Sequence, residues 1–336
     1  MRSSFGKNLK VSIWGGSHEP AIGVDIEGLP LGTEIDMAAL QAFMDRRAPG
    51  NSPFATKRKE PDVPVAKGGV EGNSLLKVAG DIVSFEIINT DTRSADYKAL
   101  ATVPRPGHAD YTARLRYGDQ LNMAGGGPFS ARMTAPLCIA GGIAKQILAK
   151  QGISISAEIY SIGGVRGDAM EAKIREAMEA RDSVGGIVEA VVTGLPGGIG
   201  GAMYDGIEST LAPILFGIPA VKGVEFGAGF KAADMLGSEN NDPFYYDENG
   251  CVKTRTNNCG GILGGITTGM PLITRVAFKP TPSIAREQDS IDLETKENTK
   301  LVVKGRHDPC VVVRAVPIVE AALAVGILDC MMEATK

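Results

Sequence analysis

Five cysteines (138, 251, 259, 310 and 330) are too scattered for a metal or disulfide framework: no two stand at CxxC spacing, and an odd count suits reduced thiols in a cytoplasmic protein. Several nucleotide and hydrolase signatures are missing too. There is no GxxxxGK[ST], no GxGxxG between a strand and a helix, and His18-Glu19 lacks the second histidine of an HExxH zinc helix. "GGSHE" lacks the last glycine of an esterase elbow. No uncharged run reaches about 18 apolar residues, and the start MRSSFGKNLK has no apolar stretch behind its basic residues, so neither a membrane span nor a signal peptide is expected. With 35 basic against 39 acidic residues, the chain has no basic excess for nucleic acid, and any anion site must be local. Low-complexity tracts, Pro-rich linkers and composition breaks are absent as well, so one large domain over 1–336 is expected.

Glycine is abundant instead, at 43 of 336 residues against an average share of roughly 7%. Much of the backbone must therefore turn tightly or approach something closely. Helices are expected over 36–47, where Asp36 caps a stripe of Met37, Leu40, Phe43, Met44 and Arg47, within 130–150, over 168–181 and 205–217, and over 317–334 with Pro317 in the first turn. Strands are expected within 75–90, 153–164, 185–195, 221–230, 272–280 and 301–305. The interleaving gives an α/β class of the α+β type. Long stretches of turn chemistry at 45–73, 91–130, 227–271 and 279–311 are expected to be functional loops. Two similar halves stay open, since glycine runs fall at 125–127 and 260–265 without a demonstrable repeat.

The chain has three histidines, each with an acid one or two residues away: His18 in "WGGSHEP", His108 in "RPGHAD" and His307 in "GRHDPC". Imidazole exchanges protons near neutral pH, and glycine or proline on either side holds the ring on a turn. One such histidine alone reads as a surface-loop residue; His18 and His108 together read as function. At 307 the neighbouring Asp308 is the stronger candidate. Three metal ligands are a weaker reading, because the short ligand spacings of metal sites are missing.

Arginines recur in the same loops: Arg46 and Arg47, Arg58 between Lys57 and Lys59, Arg105, Arg132 and Arg306. Guanidinium holds carboxylate or phosphate in a fixed plane. Arg46 and Arg47 equally suit a helix C-terminus, and 57–59 a solvated charge run. The glycine loops "NMAGGGPFSAR" and "TNNCGGILGGITTGMP" suit either a phosphate and a flat ring or close helix-on-sheet packing. "AFKPTPSI" adds Lys279 and Ser283.

These stretches, with "DRRAPGNS", "KRKEPD", "NTDTRSADY" and "GRHDPCVVVRAVPIVEA", stand in the order of one family, and the sequence strongly resembles chorismate synthase nearly end to end. The resemblance implies a βαβ sandwich, a homotetramer, and a reduced-FMN-dependent anti 1,4-elimination of phosphate from 5-enolpyruvylshikimate 3-phosphate. By motif, His18 would protonate the departing phosphate. His108 would protonate or hydrogen-bond the flavin, and Asp308 would help move a proton through flavin N5. Ser17, Arg46, Arg47, Arg58, Arg105, Ser130, Arg132 and Arg306 would hold substrate. Asn258, Gly260, Gly261, Gly265, Lys279 and Ser283 would hold FMN, beside His108 and Asp308. Without a nicotinamide fingerprint, an external flavin reductase is the favoured reductant over NADPH bound by the chain itself. The chain departs from the family at "GGSHEP", at Ala48 and at Pro128-Phe129, losing two arginines. Those losses motivate a rival reading, a catalytically impaired flavin- or anion-binding relative. A metal-assisted phosphohydrolase is a third.

Overall fold

In the computed structural model, which describes residues 2–48, 50, 54, 60–90, 102–303 and 308–334, the chain repeats one plan of connection. In the first half β2 (Lys10–Gly15) and β3 (Ala21–Glu27) are followed by α1 (Met37–Arg47), then β5 (Val65–Gly68), β8 (Ile82–Ile88) and α3 (Thr134–Lys150). In the second half β9 (Ser154–Ile162) and β10 (Gly186–Thr193) are followed by α5 (Ile207–Phe216), then β11 (Val221–Phe226), β16 (Leu272–Phe278) and α7 (Val312–Ala334). The sheets run β2-β3-β8-β5 and β9-β10-β16-β11, antiparallel throughout, with β1 (Arg2–Phe5) added to the edge of the first. Each is ordered first, second, fourth, third. The repeat left open by the glycine runs is thus one of topology.

Smaller elements decorate this frame. β4 (Glu34–Asp36), β6 (Val70–Gly72) and β7 (Leu75–Val78) form a three-stranded sheet. Three hairpins pair β12 (Phe244–Tyr246) with β13 (Val252–Thr254), β14 (Ile262–Leu263) with β15 (Ile266–Thr267), and β17 (Gln288–Asp292) with β18 (Glu297–Leu301). α2 (Asp110–Tyr117), α4 (Ala169–Glu179) and the short α6 (Gly237–Asn240) complete the α-helices among the described residues.

The helices form the middle layer. α3 packs on β3 and β8, α7 packs on β9 and β10, and α3 and α7 pack on each other, with α1 and α5 alongside. On β10 the alternation places Val188, Ala190 and Val192 inward, all fully buried. α7 is the one helix among the described residues that is long and apolar enough to cross a bilayer, but 83% of its apolar window is buried inside the fold. The two central helices approach closely because α3 carries Gly141, where a Cβ would overlap the backbone of Ala321 on α7.

Polar ties stitch the layer. Asp36 caps α1, its Oδ1 accepting the amides of Ala38 (2.8 Å) and Ala39 (3.0 Å). Asp329 on α7 accepts the backbone N–H of Lys7 (3.1 Å), Asn8 (2.6 Å) and Leu9 (2.8 Å), pinning the β1–β2 turn.

Several expectations shift. The last helix begins at Val312, so Pro317 lies in its second turn, where its missing N–H costs one bond inside a helix held by packing on all sides. The stretch 75–90 is two strands, β7 and β8, and the strand expected at 301–305 ends at Leu301. Residues 1–27, unassigned from sequence, supply three strands of the first sheet.

The Gly141→Val variant is expected to lose about 1–3 kcal/mol of stability through overpacking at the α3–α7 crossing. Urea unfolding of wild type and variant side by side checks this.

Candidate active site

The long loop entering α3 and the long loop entering α7 are topological counterparts, and they meet. Between them lies a cavity of about 350 Å³. The first loop contributes Arg105, His108, Phe129, Ser130 and Arg132, and the second contributes Lys279, Thr281, Ser283, Asp308 and Arg314, with Glu60 beside them. Arg105 and Arg132 of the first loop thus share a cavity with Lys279 of the second and Arg314 at the start of α7.

The two histidines share one turn. Gly125, Gly126 and Gly127 have φ of +62°, +90° and +51°, a left-handed run open to glycine. A Cβ on Gly125 would overlap the His18 ring, and one on Gly126 would lie 3.1 Å from His108 Nε2. Gly125 forms the cavity wall, with His18 directly behind it. Ser17 is buried; its hydroxyl donates to the Ala124 carbonyl (3.1 Å), and its amide donates to the Gly127 carbonyl (3.3 Å), anchoring His18 to the turn. Ser17 is thus a support for His18.

His108 is braced by its own loop. Its Nδ1 lies 2.7 Å from Asp110 Oδ1, and Arg105 grips the same carboxylate through Nε (2.7 Å), Nη2 (2.8 Å) and its backbone amide (3.0 Å). Burial pushes the Asp110 carboxyl up, but the hydrogen bonds from Arg105 and His108 outweigh it and hold the group well below the ordinary range. Arg105 Nη1 also donates to Ser283 Oγ (3.2 Å), and Lys279 Nζ donates to the Gly107 carbonyl (2.8 Å), so the second half of the chain clamps this loop. Burial, with Lys222 adding to it, lowers the Lys279 ammonium from its ordinary value.

The arginines divide into two groups. Arg132 lines the cavity, its Nη1 paired with Asp62 and its Nε donating to Asn89 (3.1 Å), while its buried Nη2 has no hydrogen-bond partner among the described residues. Ser130 caps the short turn ahead of α3, accepting the Arg132 amide (3.2 Å). Arg47, expected on substrate, is instead buried behind the cavity, paired with Asp62 and donating to Thr134 Oγ1 (3.0 Å). Arg46 does not line the cavity either. It forms a bidentate pair with Glu320 on α7 (2.8 and 2.7 Å), where Lys145 also binds, so the helix layer uses it. Arg58 and Arg306 lie outside the described residues.

The residues expected to hold FMN also separate. Lys279, Ser283, His108 and Asp308 line the cavity; Asn258, Gly260, Gly261 and Gly265 do not. The Asn258 amide donates to the carbonyls of Glu239 (3.1 Å) and Asn240 (3.2 Å), and the Gly261 amide donates to Asn257 Oδ1 (2.8 Å). Gly260 backs onto Gly227 and Gly265 onto Gly206, so these glycines serve close packing of their own loops.

The sequence reading missed Arg314, Asp110, Asp62 and Glu60. Arg314 projects from the first turn of α7 onto the cavity wall, its Nη1 donating to Asp308 Oδ2 (3.0 Å) and its Nε to the Arg47 carbonyl (3.0 Å). Burial, then the nearby Arg47, lowers its guanidinium from the ordinary value. A cation at a helix N-terminus opposes the macrodipole, and that mismatch was the available signal. Of the family departures, Phe129 lines the cavity, whereas Ala48 is buried at the end of α1 and lines none of it.

Burial pushes the Asp62 carboxyl up, but Arg47 and Arg132 bring it below its ordinary value, so its contribution to stability is complete above about pH 4 and lost as pH falls through the lowered value. Asp62→Asn is expected to cost about 3–5 kcal/mol at neutral pH by leaving buried Arg47 without a carboxylate and Arg132 with Glu60 alone. Its stability should fall less steeply than wild type between about pH 5 and 2, as read by urea midpoints across that range.

The chorismate synthase family model matches residues 9–332. Chorismate synthase of Lancefieldella parvula is 43% identical, covering 98% of this chain and 96% of that protein. That of Thermococcus gammatolerans is 45% identical, with 96% of each covered. A crystal structure of chorismate synthase superposes with a TM-score of 0.74 at 23% identity over 98% of this chain and 93% of the other, which shows the fold. With a family match over nearly its whole length and relatives this similar at full coverage, the chain belongs to the chorismate synthase family, lyases acting on phosphates.

Proposed function

We propose that the cavity binds reduced FMN and 5-enolpyruvylshikimate 3-phosphate and eliminates phosphate to give chorismate, the last common step of the shikimate pathway. The convergence of His108, Asp308, Arg105, Arg132 and Lys279 on one cavity, with His18 behind its glycine wall, carries this reading. The orphaned Nη2 of Arg132 is a buried donor for an anionic oxygen. Arg105, Arg132 and Arg314 hold the substrate's carboxylates and phosphate, and Ser130 lines the same wall.

The residues present fit a flavin. Gly126 leaves open the space beside His108 that a Cβ would fill, Phe129 offers an apolar face, and Lys279, Thr281 and Ser283 provide polar groups. Bound there, reduced FMN supplies electron density that helps expel phosphate from a ring carbon no carbonyl activates. By the family resemblance His18 would give a proton to the leaving phosphate; it packs against Gly125 and does not itself line the cavity. His108 holds a proton-exchanging nitrogen against the cavity, and Asp308, fixed by Arg314, accepts a proton.

The same reading takes the protein as a cytoplasmic homotetramer supplied with reduced FMN by an external flavin reductase.

Under anaerobic conditions with chemically reduced FMN, the protein should convert the substrate to chorismate and phosphate in equal amounts. His108→Ala and Asp308→Asn should each lower kcat by about 10²–10⁴-fold. Absence of both products from the wild-type protein would refute the assignment, and flavin binding without turnover would favour the impaired relative.

A further inference from the structure

We infer that Asp110 is a positioning residue that fixes the tautomer of His108, so that the neutral ring presents an unprotonated Nε2 to the cavity. The inference takes the cavity as the active site, and it deepens that reading by stating which face of the ring a bound group meets.

Asp110 opens α2, and its carboxylate is surrounded by donors. Oδ2 takes the Arg105 amide (3.0 Å) and Nε (2.7 Å); Oδ1 takes Arg105 Nη2 (2.8 Å) and lies 2.7 Å from His108 Nδ1. Two acceptors cannot share a hydrogen bond. The carboxylate carries no proton, as its lowered value indicates, so the hydrogen in the 2.7 Å contact belongs to Nδ1. Arg105 Nη2 lies 3.1 Å from the same Nδ1, which by itself would make that nitrogen an acceptor. The shorter contact to a charged acceptor decides between them. A neutral imidazole with Nδ1–H has its lone pair on Nε2, and Nε2 is the atom beside Gly126.

The ring has little freedom to exchange its nitrogens. The His108 amide donates to the Arg105 carbonyl (3.2 Å), Arg105 is held by Ser283, and Lys279 holds Gly107. Turning the ring over would set Nε2 against the carboxylate and withdraw the proton-exchanging atom from the cavity. In its neutral form His108 therefore meets a bound N–H or O–H as an acceptor, and donates only after taking up a proton.

Ring-15N-labelled histidine in the protein without substrate or flavin reads this directly. Three histidines give few signals, and those of position 108 are identified by their loss in His108→Gln. At about pH 8, where an ordinary imidazole is neutral, wild type should show the pattern of an Nδ1–H ring. In Asp110→Asn the amide oxygen stays with the Arg105 guanidinium and the amide NH2 faces Nδ1, so the pattern should invert to Nε2–H, with kcat lower by at least about 100-fold. Asp110→Glu, which keeps the carboxylate, should retain Nδ1–H and regain part of the turnover. An Nε2–H pattern in wild type overturns the inference, and so does an unchanged pattern in folded Asp110→Asn. If Asp110→Asn does not fold, the wild-type spectrum alone decides. Because that spectrum needs no reaction, a failure here leaves the proposed lyase reaction standing, and a failed reaction leaves the tautomer standing.

Discussion

Asp62 holds the cavity to the helix layer: its buried carboxylate sits between Arg47, the last residue of α1, and Arg132, two residues ahead of α3. Arg47 in turn offers its carbonyl to Arg314 in the first turn of α7. Three helix ends are thereby tied to one chain of charges. Burying so many ions costs desolvation that their attraction only roughly offsets, so the network adds little net stability. Its effect is geometric, since no member can move without exposing an unmatched partner. Arg132 and Arg314 face the cavity from fixed points for that reason.

The repeated topology explains why this happens twice. Arg132 stands just ahead of α3, and Arg314 sits in the first turn of its counterpart α7. Each is a cation where the helix dipole disfavours one, and each is matched by a carboxylate, Asp62 and Asp308 respectively. The scaffold is nearly symmetric, whereas the chemistry laid on it is not. Both described histidines belong to the first half, and Lys279, Ser283 and Asp308 belong to the second.

What the sequence disclosed follows from the range of the interactions involved. The α1 boundary was readable because Asp36 caps amides two and three residues away. β3 went unassigned although Ile22, Val24 and Ile26 are buried in alternation with Gly23, Asp25 and Glu27, a short run beside the glycines and proline of the preceding loop. His18, His108 and Asp308 stood out through local chemistry. The pairings of Arg46 and Arg47 were not legible because their partners are decided by folding: Glu320 lies 274 positions from Arg46, and Asp62 gains its place through a left-handed turn at φ +48°. Arg314 was passed over because the last helix was expected to begin only at Pro317, three residues beyond it. Asp110 was in view beside His108, but only coordinates show that Arg105 grips the same carboxylate.

The meeting of the two counterpart loops also orders events during synthesis. A nascent chain that has emerged as far as α3 carries Arg105, His108 and Ser130, but none of Lys279, Ser283, Asp308 or Arg314. The cavity is closed by residues of the second half, so the site cannot exist until both halves have been made. A product that stops after α3 carries one side of the cavity and none of the residues that face it.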